Sequence, residues 1–141
     1  MRGYKRINSV YLVFDGGNGG HLSNKGYGSF KVFDKKHGSL LHHEERYPFD
    51  GEMTNNEAEY RTLILALKWI SDNIDDPEFV YGALQIEGDS ELVRQQVLGN
   101  WQIKKPHSKP LCKEAQYLLN LYTKWTYTHV PRAEIVALLG H

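Results

Sequence analysis

Residues 8–15, Asn-Ser-Val-Tyr-Leu-Val-Phe-Asp, are rich in β-branched and aromatic side chains and run straight into Gly16-Gly17-Asn18-Gly19-Gly20. A short apolar run bounded by glycine predicts a buried strand entering a glycine-rich turn. Two further strands are expected over 26–34 and 39–47, joined by the hairpin-like Asp34-Lys35-Lys36-His37-Gly38. Links this short suggest an antiparallel meander. The period then changes. After Thr54-Asn55-Asn56, apolar side chains fall at 60, 63, 64, 67 and 70, which is one stripe of an amphipathic helix. Threonine or asparagine suits the N-cap, glutamates suit the first turn, and Asp75-Asp76-Pro77 ends the element. A fourth strand over 81–87 runs into Gly88-Asp89-Ser90, where a helix over 91–97 begins. A loop over 100–110, a helix over 111–122, a fifth strand over 125–130 and a short helix opened by Pro131 complete the pattern. This order predicts one α/β domain over 1–141, a mixed sheet covered by helices.

Composition narrows the class without deciding it. With 141 residues, 40% hydrophobic and 24% charged, the chain has the balance of a soluble globular domain. No run approaches the roughly 18 apolar residues that span a bilayer, and the basic start, Met1 to Arg6, is not followed by an apolar signal segment. No membrane partner is expected. The single cysteine, Cys112, excludes an internal disulfide and predicts a buried structural thiol in a reducing, cytoplasmic setting. Seventeen basic and seventeen acidic residues give zero net charge, whereas nucleic-acid binders are usually basic. Acids that hold metal ions count against that total yet work beside phosphate, so the distribution matters more than the sum.

Three acids stand out by position. Asp15 closes the first strand, Asp89 follows the fourth, and Glu59 lies in the first turn of the long helix. Taken singly, strand ends are exposed and Asp89 is an ordinary helix cap. Taken together, three carboxylates at the ends of adjacent elements fit a site for hard divalent cations, which take oxygen ligands, water and substrate phosphate. Glu57 and Glu59 cannot both join it, because residues two apart point roughly 200° away from each other on a helix. Lys104, Lys105, His107 and Lys109 form one basic loop with Trp101 beside it. Such a loop either holds phosphates without reading sequence or is simply solvated.

Five blocks then carry a resemblance: Phe14-Asp15-Gly16-Gly17, Thr54-Asn55-Asn56-Glu57-Ala58-Glu59-Tyr60, Gly88-Asp89-Ser90-Glu91-Leu92-Val93, Asn100-Trp101-Gln102-Ile103-Lys104-Lys105 and His129-Val130-Pro131-Arg132. In this order and spacing the chain resembles the type 1 ribonuclease H family, in the compact form of archaea and many bacteria. The resemblance implies a ribonuclease H-like fold, a five-stranded mixed sheet flanked by helices. It implies an endonuclease that hydrolyses the RNA strand of RNA–DNA hybrids with two ions, Mg2+ or Mn2+, roughly 4 Å apart. Asp15, Glu59 and Asp89 would be the catalytic metal ligands, Glu59 rather than Glu57 because the family uses the last glutamate of its block. Thr54 would help hold a DNA phosphate and Asn55 and Asn56 would touch both strands. The backbone of Gly16, Gly17 and Asn18 would approach the 2′-hydroxyl that marks RNA, and Trp101, Lys104 and Lys105 would extend the substrate surface. A monomer is expected, with double-stranded RNA left open as a second substrate. Water attacks in this chemistry, so Ser90 and Cys112 need no catalytic role. His129 reads as structural, with a general-acid or product-release role as the alternative; His42-His43 reads as an exposed strand-end pair. His21, in the glycine-rich turn, is left open as a substrate contact.

One departure is plain. The family adds an aspartate about seven residues beyond the arginine of Val-Pro-Arg, and counting from Arg132 reaches Leu139 in a tail with no aspartate. Glu134 lies five residues too early, about 140° round a helix, and His141 lies two residues too late. The enzyme is therefore active with Glu134 or His141 supplying part of the lost field, or active but slow on three carboxylates. The alternative is a catalytically weak or inactive binder of RNA–DNA hybrid or duplex RNA. A DNA resolvase or exonuclease on the same fold is opposed by the block at 54–59. A small-molecule or interaction domain would leave the basic loop and paired asparagines unexplained.

Overall fold

The computed structural model describes residues 9–18, 25–74 and 83–140. Strand β1 (Ser9–Gly17) is buried along all but its first residue, because it lies in the middle of the sheet and is covered on both faces. Antiparallel β2 (Lys25–Phe33) and β3 (Leu40–Glu52) follow on one side. Parallel β4 (Ala83–Gly88) and β5 (Lys124–His129) lie on the other, giving the order β3-β2-β1-β4-β5. The helices are α1 (Asn55–Asn73), α2 (Glu91–Val97), α3 (Ser108–Leu119) and α4 (Arg132–Leu139). The fold is the expected ribonuclease H-like α/β arrangement. Among the described residues no helix is long and apolar enough to cross a membrane.

The alternation of side chains along β1 divides the interior into two layers. Val10, Leu12 and Phe14 meet Tyr60, Leu63 and Leu67 of α1 in the larger core, which also takes Leu84, Ile86, Cys112 and Leu119. Tyr11 and Val13 face the other way, into a small cluster closed by Val130, Ile135 and Leu139 of the C-terminal segment. By the same alternation Asp15 falls in the phase of Tyr11 and Val13, at the end of the strand where apolar cover runs out.

Several element boundaries differ from the sequence reading. Strand β3 continues to Glu52, beyond the expected end at 47, and its pairing with β2 carries register shifts. It is an outer strand with mostly exposed or half-buried side chains, so no apolar period marks its end. Helix α3 begins at Ser108 because Pro110 sits in its first turn, where a missing N–H costs nothing. This moves Lys109 out of the basic loop and into a helix. Pro131 is the extended residue just before α4 rather than its first member, and its carbonyl accepts the Glu134 and Ile135 N–H groups. The start of α1 is as expected at Thr54, with an addition: Thr54 Oγ1 accepts the Glu57 N–H at 3.2 Å and Glu57 reaches back to the Thr54 N–H, a capping box. Glu57 is thereby a capping residue, and the Thr-x-x-Glu spacing was its signal.

A candidate divalent-metal centre beside a basic cleft

Close approach of α1 to β1 builds the site. A Cβ on Gly16 would lie 2.5 Å from the Ala58 carbonyl oxygen and 2.7 Å from the Glu59 nitrogen, so only glycine lets the first turn of α1 rest on the strand end. Glu59 accepts a hydrogen bond from the Gly16 backbone and is brought against Asp15. The parallel pairing of β4 with β1 delivers Asp89 to the same end of the sheet. Asp89 is not a helix cap; Ser90 takes that place, its hydroxyl accepting the Val93 N–H at 3.2 Å. Asp15, Glu59 and Asp89 each offer one oxygen, and these oxygens all lie within 4.8 Å of one another. Among the described residues no other cluster of this kind forms.

The electrostatics of the cluster call for a cation. Asp15 and Glu59 are each only 6% exposed. Burial first, then the charges of Asp15 and Asp89, hold the Glu59 carboxyl well above the usual carboxylate range. Burial and then Asp89 raise Asp15, against the lowering pull of Arg132. Glu59 Oε2 is buried without a hydrogen-bond partner, which is costly for a carboxylate unless an ion completes it. Three hard oxygen donors, one of them orphaned, fit a divalent ion such as magnesium or manganese.

The structure also shows what stands in place of a fourth acid. Leu139 is 1% exposed and belongs to the small apolar cluster. Glu134 does not join the three acids; it lines a separate cleft with Tyr11, Phe33, Lys36, His37 and Glu87, as its position a third of a turn or more round the helix requires. His141, like His21 and the Gly19-Gly20 part of the turn, lies outside the described residues. The side chain that does reach the cluster is Arg132, whose Nη1 lies 3.3 Å from Asp15 Oδ2 and 3.0 Å from Asp89 Oδ2. Sequence reasoning gave Arg132 no role; its place in the Val130-Pro131-Arg132 block was the only signal.

A cleft of about 530 Å³ adjoins the centre, lined by Asn56, Gln96, Asn100, Trp101, Lys104 and Lys105 among others. Asn56 stands one helical turn before Glu59, so cleft and acids share a face of α1. Trp101 is 48% exposed, an unusual state for so large an apolar side chain. The paired asparagines divide their work. Asn55 Oδ1 accepts the backbone N–H of Asn18 at 3.1 Å, and Asn18 Nδ2 donates to the Met53 carbonyl at 3.2 Å, tying the turn after β1 to the start of α1. Asn56 faces the cleft.

Other candidates have structural partners. Cys112 is buried, with Sγ 3.5 Å from the Gln96 carbonyl oxygen, and burial pushes its thiol pKa up. His129 Nδ1 lies 3.7 Å from Glu91 Oε2. His42 is not an exposed strand-end residue: it sits within β3, half-buried, stacked on Trp69 at 4.2 Å between ring centres. Its neighbour His43 is exposed.

A family model described as reverse transcriptase-like matches residues 14–137. Ribonuclease HI of Halobacterium salinarum is 39% identical over 83 residues, covering 59% of this chain and 39% of that protein. Bifunctional protein Rv2228c of Mycobacterium tuberculosis is 35% identical over 126 residues, covering 88% of this chain and 32% of that one. The chain thus spans well under half the length of these curated relatives. Among solved structures, the N-terminal RNase H domain of the mycobacterial protein superposes with a TM-score of 0.78 at 28% identity, covering 93% of this chain and 95% of that one. RNase H1 of Halobacterium salinarum gives 0.77 at 29%, with 93% of each chain covered. LC11-RNase H1, isolated from compost and solved in complex with an RNA/DNA hybrid, gives 0.74 at 26%, covering 91% and 89%. The family model's match over residues 14–137, together with the likeness to solved RNase H domains, places this chain in the reverse transcriptase-like family as a ribonuclease H-like domain.

Proposed function

We propose that this domain is a metal-dependent endonuclease that hydrolyses the RNA strand of RNA–DNA hybrids. The observation that carries the reading is the convergence of Asp15, Glu59 and Asp89, from three separate elements, within 4.8 Å of one another. The relative solved with an RNA/DNA hybrid supports the substrate class. Mg2+ or Mn2+ ions held by the three carboxylates would supply the attacking hydroxide and stabilise the leaving 3′-oxygen.

The protein's own groups hold and orient. The Gly16 N–H fixes the Glu59 carboxyl, and the ends of β1 and β4 fix Asp15 and Asp89. No side-chain nucleophile is needed, in keeping with Ser90 capping α2 and Cys112 lying buried. Lys104 and Lys105 would grip phosphates across the cleft, giving salt-dependent binding without sequence readout. Trp101 would offer an apolar face to the nucleic acid, and Asn56, which lines the cleft, would read a minor-groove 2′-hydroxyl. Gly16 and Gly17 are instead buried in β1, where Gly16 serves the packing of α1. Thr54 and Asn55 act mainly by shaping the start of α1 and the turn that faces it. The reading takes three carboxylates as sufficient, with the enzyme working as a cytoplasmic monomer.

The test is cleavage of a labelled RNA–DNA hybrid with Mg2+ or Mn2+, beside RNA–RNA and DNA–DNA duplexes. RNA-strand cleavage that disappears in Asp89→Asn supports the proposal. Hybrid binding without cleavage under either metal would instead leave a hybrid-binding protein.

A further inference from the structure

We infer that Arg132 is a resident counter-ion of the acidic centre, holding Asp15 and Asp89 together in the metal-free protein and setting the concentration at which a divalent cation displaces it. The inference rests on the metal-binding reading above and concerns how that site is filled.

The geometry is that of a cation site rather than of a paired fork. Arginine normally meets a carboxylate through two parallel N–H bonds. Here a single nitrogen, Nη1, lies 3.4 and 3.3 Å from the two oxygens of Asp15 and 3.0 Å from Asp89 Oδ2. One positive group therefore sits among oxygens of two acids, as a bound ion would. Burial is lopsided: the Arg132 side chain is 64% exposed, while those of Asp15 and Asp89 are 7% and 11% exposed. Arg132 can swing into solvent without disturbing the core, whereas the acids cannot withdraw from each other.

Helix stability does not explain the residue. Arg132 is the first residue of α4, and a cation at a helix N-terminus opposes the macrodipole. Its gain comes from the acids. Its partners are Asp15 and Asp89, while Leu139 on the same helix is buried in the apolar cluster and Glu134 lines a different cleft. An arriving divalent ion needs the same oxygens that Arg132 holds, so its apparent affinity includes the cost of releasing the guanidinium.

The experiment is calorimetric titration of Mn2+ alone into the full chain, with thermal unfolding in chelator alongside. Arg132→Gln removes the charge and keeps a polar side chain; Arg132→Lys keeps the charge; Asp89→Asn locates the ion. Arg132→Gln is expected to bind Mn2+ roughly 3- to 10-fold more tightly, the scale of partly exposed ion pairs removed. Its metal-free form is expected to melt below the wild type, while Arg132→Lys stays close to the wild type in both measurements. Unchanged or weaker Mn2+ binding in Arg132→Gln, with wild-type binding intact and lost in Asp89→Asn, overturns the inference and leaves the metal site standing. Absence of Mn2+ binding in wild type and Arg132→Gln alike overturns both.

Discussion

Replacing Glu59 by glutamine in the metal-free protein should stabilise it, and should do so more as pH rises. Burial and neighbouring charge raise the folded-state pKa of both Glu59 and Asp15 above their ordinary values of 4.5 and 3.8. A raised carboxyl pKa means that the folded state binds the proton more tightly than the unfolded state. Its contribution to stability is complete below the unfolded pKa and is lost as pH rises through the folded one. At higher pH the wild type must either ionise Glu59 beside Asp15 and Asp89 or take up a proton that free glutamate would release. Two unit charges at the 4.8 Å upper limit of the cluster repel by about 3.5 kcal/mol at an effective dielectric of ~20. Arg132 offsets part of this through Asp15 and Asp89. Glutamine keeps an acceptor for the Gly16 N–H and adds an N–H donor toward Asp15, so it mimics the protonated acid without its pH dependence. Denaturant unfolding in chelator should give a variant-minus-wild-type difference near zero at about pH 4 that grows to about 1–3 kcal/mol at about pH 8. Saturating Mn2+ should reverse the order, because it stabilises the folded wild type by mass action. A difference that is flat with pH, or a variant less stable at the alkaline end without metal, would refute the electrostatic account of the site.

Leu139→Asp does not simply restore a missing ligand: a leucine 1% exposed in an apolar cluster is lost and a carboxylate buried, so equilibrium unfolding should show a loss of about 3 kcal/mol or more. A metal-free variant within about 1 kcal/mol of wild type would show that this helix face is not packed as described. Tyr127→Phe should raise stability by about 1 kcal/mol, because the Tyr127 hydroxyl is buried without a hydrogen-bond partner; a lower melting temperature would reveal a partner. Gly16→Ala should cost about 3 kcal/mol, since the new methyl would meet the Ala58 carbonyl at 2.5 Å, and should also weaken Mn2+ binding by shifting Glu59. Unfolding and calorimetry on one sample check both, and an unchanged Mn2+ affinity would detach Glu59 from that contact.

What could be read directly from the chain was whatever is settled within a few residues. The unbroken apolar run of β1, the 3.6-residue stripe of α1 and the Thr54 start each follow from local sterics, period and capping. Asp15 and Asp89 were legible because carboxylates beside glycine at strand ends break the apolar pattern, whereas Glu59, in the first turn of α1, was singled out over Glu57 by the resemblance of its block. Where one face meets solvent the signal faded, as with the end of β3 and the burial of His42 against Trp69. Choosing Ser90 over Asp89 as the cap of α2 also needed backbone geometry that neighbouring letters leave open. Only the tertiary structure brought Arg132 to Asp15 across 117 positions, turned Glu134 toward a different cleft and sealed Leu139 in the second core layer. The physical reason is that period and propensity act along the chain, whereas these contacts depend on β4 lying beside β1 and on how α4 packs against the far face of the sheet.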